Sequence, residues 1–319
     1  MSLPPFLRLH PEYHPRVWGG QRLQPTAATP IGEAWIVYEH NQIADGPLAG
    51  QTLAAVTAQY GEALLGRRGA QPAGGRFPLL IKLLDCTAWL SLQVHPNDKQ
   101  AARLEGPGQL GKTEAWHILE ADAGAKVIAG LQPGVTADTL AHALQAGTIL
   151  DCVQYLPVQA GDTIFMRAGT IHALGPGLLL YEVQQTSDIT YRVFDWNRPA
   201  AAGRELHVEK SLAVANPQAV GQARPRPVLG DGDHQPLVAC PQFTLELLGG
   251  HTRPVSGDPR GESFHTLTVI TGRARVTAPG WSQSLNRFET LILPASSAAY
   301  IMEPEEEFQA LRASVEKPA

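Results

Sequence analysis

Cysteine is scarce in this sequence. Three thiols, Cys86, Cys152 and Cys240, lie far apart in 319 residues. An odd, dispersed set supports neither a disulfide framework nor a CxxC zinc site. Long apolar runs are missing too: none approaches the roughly 20 residues that span a bilayer. The N-terminal stretch MSLPPFLRLHPEYHPRVWGG is broken by prolines and carries no basic-then-apolar leader. Nor is positive charge in excess. The formal net charge is −5 and the pI is near 6.1, so the basic stripe of a general nucleic-acid binder is absent. These absences lead us to expect a soluble cytoplasmic protein with neither a nucleic-acid nor a membrane partner.

What is present is glycine and proline, 31 and 26 residues respectively, which suits many short strands joined by tight turns. With 44% hydrophobic residues the chain can bury a large core and form two domains. Leu53, Val56, Tyr60 and Leu64 recur at helical spacing and predict one helix over 51–65. Asn97 can cap a short helix that Gly106 ends, and Thr136 to Gly147 reads as another capped helix. Most of the remainder is strand-like: SLQVH, TEAWHILEA, DTIFMRAGTIHAL, LLLYEVQQ and ITYRVFDW, then FTLELLGG, FHTLTVITGRARVTA and FETLILPASSAAYIM. GDTIFMRAGT and NRFETLILPASS read as echoes of one β-hairpin unit, hence two related β-sandwich barrels. The expected organisation is a domain over 1–215 with inserted helices, a proline- and glycine-rich linker over 216–236, and a smaller C-terminal β domain over 237–319.

GPGQLGKTEAWH, residues 106–117, fits the phosphate-cradling pattern of Gly, four residues and Gly-Lys-Thr. That loop must join a buried strand to a helix whose first N–H groups face phosphates. Here the order is reversed, helix before and strand after, so the match is accidental. Glu114 is the residue such a loop does not need. If a strand begins there, Glu114 and Trp116 share a face and His117 points the other way. Gln93 and His95, also two apart, share a face of another strand, and His172 opens a third after a glycine turn. Gln93, His95, Glu114 and His172 thus offer an amide oxygen, two imidazoles and a carboxylate. That mixed donor set suits zinc with an open position, or another divalent transition metal. Each residue alone is more commonly structural; the four together make the candidate site.

RFPLLIKLLD, LSLQVHPND, GKTEAWHIL, AGTIHAL and YEVQQTSDITYRVFDW, preceded by WGG and GEAW, stand in an order and spacing that resemble the type I mannose-6-phosphate isomerases. The short bacterial form is the one most similar. The resemblance implies a mainly β, cupin-type jelly-roll fold and one zinc ion per chain. His95, Glu114 and His172 match zinc ligands, and Gln93 matches the fourth ligand of longer members. The cupin pattern Gly-x5-Pro-x-Gly-x2-His fits Gly161, Gly169 and His172, but Arg167 stands where proline is usual. The implied activity is reversible conversion of mannose 6-phosphate and fructose 6-phosphate through an enediol, with a small sugar phosphate as partner. Arg192 matches the family's catalytic arginine, Lys112 is a candidate phosphate contact, and Glu182 a candidate proton carrier. Ser91 and Lys82 resemble pocket residues. Trp18, Trp35 and Trp116 read as core or pocket wall, with Trp18 a candidate for sugar contact. Two rival classes share the metal pattern: an iron-dependent cupin oxygenase and a sugar-binding cupin without catalysis.

Overall fold

The computed structural model describes residues 2–70, 73–198 and 205–315. It is mainly β, with strands arranged in four sheets, and the chain forms two compact units. One unit contains 13–34 and 82–226; the other gathers 1–12, 35–81 and 227–319. Segment 216–236, expected to link, includes strand Ala223–Arg224 and the start of strand Asp233–Ala239. Among the described residues, no helix is long and apolar enough to cross a membrane.

The first sheet, seven-stranded, runs in the order Glu12–Gly20, Ile31–Val37, Leu79–Cys86, Leu178–Gln185, Glu114–Ala121, Thr163–Met166, Ala223–Arg224. A five-stranded sheet follows the order Tyr191–Phe194, Leu92–Val94, His172–Leu174, Lys126–Leu131, Val153–Pro157. LLIKLLDC and LLLYEVQQ are buried along their whole length, so both faces of these strands are covered. An apolar cluster including Leu84, Trp116, Ile118, Val127, Ile164 and Leu180 fills this unit's interior. Burial of such side chains drives the assembly at roughly 25 cal/mol per Å² of apolar surface.

The helices follow their caps. Asn97 accepts from the Gln100 amide and completes a capping box at the start of Asp98–Glu105, and Thr136 with Gly147 bounds Ala137–Ala146. The single helix expected over 51–65 is two, Leu53–Tyr60 and Glu62–Gly69. Gly61, at φ 49°, ends the first by donating its N–H to Thr57 O. The apolar period runs through this glycine without registering its backbone angle. A seven-residue helix, Val208–Val214, lies where the sequence lost its periodicity.

The second unit holds a five-stranded sheet, Asp233–Ala239, Thr244–Gly250, Phe308–Ser314, His265–Thr271, Thr290–Leu293. Its companion has four strands, Val255–Gly257, Tyr300–Pro304, Ala274–Ala278, Trp281–Leu285. Leu248, Leu267, Val269, Val276, Met302 and Phe308 belong to its core. The expected β-rich C-terminal region is therefore present, and no helix lies between 237 and 315.

His117 turns away from Glu114, as parity predicts: its Nδ1 lies 2.9 Å from Thr163 Oγ1. Burial, with Arg226 nearby, lowers its pKa from 6.5 to about 4. A depressed pKa means the unfolded chain takes a proton first, so stability is full above pH 6.5 and falls as pH drops towards 4. The loss should reach about 3 kcal/mol. Urea unfolding between pH 7 and 4 should show a shallower decline in His117→Gln; an unchanged decline would remove His117 as its source.

Candidate metal centre

Strand pairing aligns the candidate ligands. Gln93 stands opposite His172 on one side and Arg192 on the other, so the three share one row and one face. In the seven-stranded sheet, Gln184 and Met166 flank Glu114 in one row, and Glu182 faces Trp116 in the next. Glu114 and Glu182 therefore occupy the same face.

Side chains from these rows converge. His95 Nε2 lies 3.5 Å from Glu114 Oε2 and His172 Nε2 3.2 Å from Glu114 Oε1. One ligand atom from each of the three lies within 4.8 Å of the others, and all three residues are buried. Each imidazole is oriented by its other nitrogen: His95 Nδ1 sits 2.9 Å from Ile189 O, and His172 Nδ1 2.8 Å from Thr170 O. A carbonyl can only accept, so Nδ1 carries the proton and each Nε2 presents a lone pair. Gln93 Nε2 is 3.3 Å from His172 Nε2. In this orientation the amide donates; turned over, it would present Oε1.

Lys112 stands just before the Glu114 strand and is 4% exposed. Its ammonium is 2.5 Å from Glu114 Oε2, 3.1 Å from His95 Nε2 and 4.0 Å from Glu182 Oε1. Burial works against this charge, but Glu114 and Glu182 overcome it and raise the Lys112 pKa. Burial likewise pushes Glu114 towards its neutral form. Lys112 wins, holding it well below the usual carboxylate range. His95 is held well below 6.5 by burial first and by Lys112 second, which keeps its lone pair available.

Donors and acceptors do not balance here. Glu114 Oε1 is buried without a hydrogen-bond donor and faces the lone pair of His172 Nε2. An unmatched pair of buried acceptors is costly, and a cation between them resolves the cost. Lys112 already plays that part for Glu114 Oε2 and His95 Nε2. The residues fit a divalent ion of the kind that nitrogen and oxygen ligands share.

Beside the triad, Lys82 Nζ is 3.3 Å from Glu182 Oε1, while Trp116 donates Nε1–H to Glu182 Oε2 at 2.9 Å. Glu182, Lys82 and Lys112 thus join the cluster directly. The half-buried Arg192 enters through its row and donates Nη1–H to Glu205 O at 2.8 Å. Ser91 is buried and shares parity with Gln93. Trp18 stands apart from this polar cluster. It is 2% exposed and belongs to the apolar core with Trp116, Cys86 and Leu180.

The GPGQLGKT turn has its own purpose. Gly111 N–H bonds Asp98 Oδ1 at 2.8 Å and Lys112 N–H bonds Pro96 O at 3.0 Å. A Cβ at 111 would collide with the Asn97–Asp98 backbone, so glycine lets the turn lie against the helix start and deliver Lys112. Arg167, where proline was expected, does not prevent the next turn: Thr170 N–H bonds Arg167 O at 3.1 Å, and Gly169 takes φ 86°.

Three contributions were not legible beforehand. Trp116 anchors Glu182, and the carbonyls of Thr170 and Ile189 orient the histidines. Gln185 accepts from Thr113 N–H at 3.0 Å and donates to Asp98 at 2.9 Å, fastening the Lys112 segment. The polar end of YEVQQ on a buried strand was the one signal for Gln185.

Protein freed of metal by chelation, then given a divalent ion at a hundred times its Kd, should gain about 2.7 kcal/mol of stability. Calorimetry would read this as a rise in Tm that His95→Ala and His172→Ala both lose. A full rise in either variant would take that histidine out of the ligand set.

Residues 6–115 match the family model described as phosphomannose isomerase type I, catalytic domain. A mannose-6-phosphate isomerase of Streptococcus mutans is 33% identical over 90% of this chain and 92% of its own length. One from Bacillus subtilis is 31% identical over 92% and 94%. A crystal structure of a Bacillus subtilis mannose 6-phosphate isomerase is 28% identical and covers 98% of this chain and 99% of that one, with a TM-score of 0.85. A Salmonella typhimurium phosphomannose isomerase variant, 15% identical, covers 99% and 100% at a TM-score of 0.78 and shares the fold. Matched along nearly its whole length by such relatives, the chain belongs to the type I phosphomannose isomerase family.

Proposed function

We propose that this chain interconverts mannose 6-phosphate and fructose 6-phosphate, with one zinc ion held by His95, Glu114 and His172, and by Gln93 once its amide presents oxygen. The observation that carries the reading is the convergence of buried acceptors around Glu114 Oε1 and His172 Nε2, in a chain with full-length isomerase relatives. When bound, the ion supplies a Lewis acid beside the oxygens of the sugar.

The reaction opens the ring, takes the proton from C2 and returns it to C1 through an enediol. It needs a base, cations for the developing oxyanion, and an anchor for phosphate. Glu182 is assigned the proton transfer: within the described cluster it is the carboxylate outside the ligand set. Lys82 and Lys112, 3.3 Å and 4.0 Å from Glu182 Oε1, provide ammonium groups for the anionic oxygens of the substrate. With Glu114 and His95 serving as ligands, Lys112, which contacts both, would be free to turn to substrate. Arg192 shares a face with Gln93 and His172 and clamps the enediolate with its planar fork. Ser91 lines the same face as a hydrogen-bonding hydroxyl. Trp18 acts on the substrate through packing, by backing Trp116, which holds Glu182.

A cytoplasmic enzyme fits the sugar-phosphate substrate. The proposed domain organisation is a cupin-type catalytic domain with helical insertions over 1–215, a linker over 216–236 and a C-terminal cupin-like β domain over 237–319.

A coupled assay of mannose 6-phosphate conversion tests the reading. Activity should disappear with chelator and return with zinc; full turnover by metal-free protein would refute it. Arg192→Ala should retain the ion and lose about 10²- to 10³-fold in kcat, and near-normal turnover would remove Arg192 from the mechanism. Glu182→Gln should lose about 10²- to 10⁴-fold together with exchange of the C2 proton into solvent. Exchange at the normal rate would assign proton transfer elsewhere.

A further inference from the structure

The C-terminal sandwich contains a second polar interior, open to a cavity of about 1000 Å³. Glu246 and Arg312 are directly opposed on neighbouring strands, with Arg312 Nε–H donating to Glu246 Oε2 at 2.7 Å. Arg312 Nη1 lies 3.4 Å from Tyr300 Oη, and Tyr300 Oη lies 3.0 Å from His265 Nδ1. Tyr300 and His265 are 2% exposed and Arg312 is 7% exposed. Four strands from both sheets therefore contribute to one connected network on the wall of a cavity.

This network is built rather than incidental. Gly257 stands opposite Tyr300, and a Cβ there would collide with the phenol ring. Glycine thus makes room for Tyr300 against the neighbouring strand. A buried guanidinium–carboxylate pair is weak evidence for stability, because desolvation offsets attraction. Apolar residues would fill this interior at less cost. A ligand that uses the polar groups gives them a reason to be there.

Charge decides the ligand class. The three arginines on the cavity wall all have acidic partners there. Besides Arg312 with Glu246, Arg68 bonds Glu262 at 2.9 Å and Arg260 lies 3.8 Å from Asp258. The formal charges of these six wall residues cancel, although Glu262 is shared with Arg67 just outside the wall; at the buried end a phosphate dianion would meet the Glu246 carboxylate beside Arg312. It does offer paired acceptors and donors: a carboxylate for hydroxyl protons, and guanidinium and phenol for hydroxyl lone pairs. Ala278, Pro279 and Ile301 add apolar wall for C–H faces. Closely spaced hydroxyls on a compact carbon frame satisfy both sets at once.

We propose that this cavity is a binding site for a neutral polyhydroxylated small molecule, a sugar or sugar alcohol without phosphate, with Glu246, Arg312, Tyr300 and His265 as its recognition groups. The site belongs to the C-terminal sandwich, and its four recognition groups lie in a different compact unit from the metal-centre residues.

The test is titration calorimetry and saturation-transfer NMR on the full-length protein with D-mannose, D-fructose, mannitol and myo-inositol, beside mannose 6-phosphate. At least one neutral compound should bind saturably. Tyr300→Phe, which removes one hydroxyl and keeps the ring, should weaken that binding by about tenfold. Ala299→Trp, at an exposed position lining the cavity, should abolish it without touching the buried network. No saturable binding by any neutral compound would overturn the proposal. So would binding that survives Ala299→Trp, or binding at this cavity of the phosphorylated sugar alone.

Discussion

The unit that carries the candidate metal centre is organised around one expensive act, the burial of the Glu114 carboxylate. An isolated carboxylate loses several kcal/mol on leaving water even after its surroundings relax. Glu114 is 0% exposed; the Lys112 ammonium offsets that cost at one oxygen, and the other oxygen faces an imidazole lone pair that only a cation between them would match. Each partner comes from a different place in the fold. Lys112 arrives by a turn that requires glycine at 111, His172 follows the turn at Gly169, and His95 sits just beyond a three-residue strand. Removing Lys112 would leave the buried charge poorly matched, and removing either histidine would break up the set of lone pairs, which explains why so much of the local structure serves to place them. Gly169 N–H even bonds His95 O at 2.8 Å, tying the His172 turn to the segment that carries the other imidazole.

Much of this was legible from strand parity alone. Glu114 and Trp116 are two apart, and a pleated strand puts such a pair on one face whatever the rest of the chain does; Gln93 and His95 have the same spacing, although His95 falls just past its strand. His117 was turned away by the same rule. The fold class followed from alternation and turn residues, and caps at Asn97 and Thr136 marked their helices because capping is a local interaction. What was not legible depends on contacts between distant segments. Nothing near Glu182 in sequence announces that Trp116 will hold it. The apolar spacing of Leu53 to Leu64 cannot report that Gly61 leaves the helical region, since spacing records side chains and not backbone angles. The helix at Val208–Val214 is short and gains its place by packing rather than by pattern.

The two sandwiches place their polar residues by a common device and to different ends. In each, side chains from facing sheets meet inside the layer, where the effective dielectric is low and hydrogen bonds are correspondingly strong. Around Glu114 the groups are rich in exposed lone pairs, a composition suited to a cation and then to anionic oxygens near Lys82, Lys112 and Arg192. Around Arg312 every charge already has a partner, a composition suited to hydroxyls. No motif flags the second site, because Glu246, His265, Tyr300 and Arg312 are scattered over four strands. The rival oxygenase reading shares the triad, but two buried lysines beside it and Arg192 in the row of Gln93 and His172 favour the proposed anionic substrate over dioxygen.

The metal centre requires two imidazoles and a carboxylate to close on a single ion. X-ray absorption at the zinc edge of the zinc-loaded protein measures this directly. The predicted spectrum has a shell of nitrogen and oxygen alone at about 2.0–2.1 Å, with the multiple scattering of two imidazole rings. A sulfur shell at about 2.3 Å, or a spectrum lacking imidazole scattering, would contradict it.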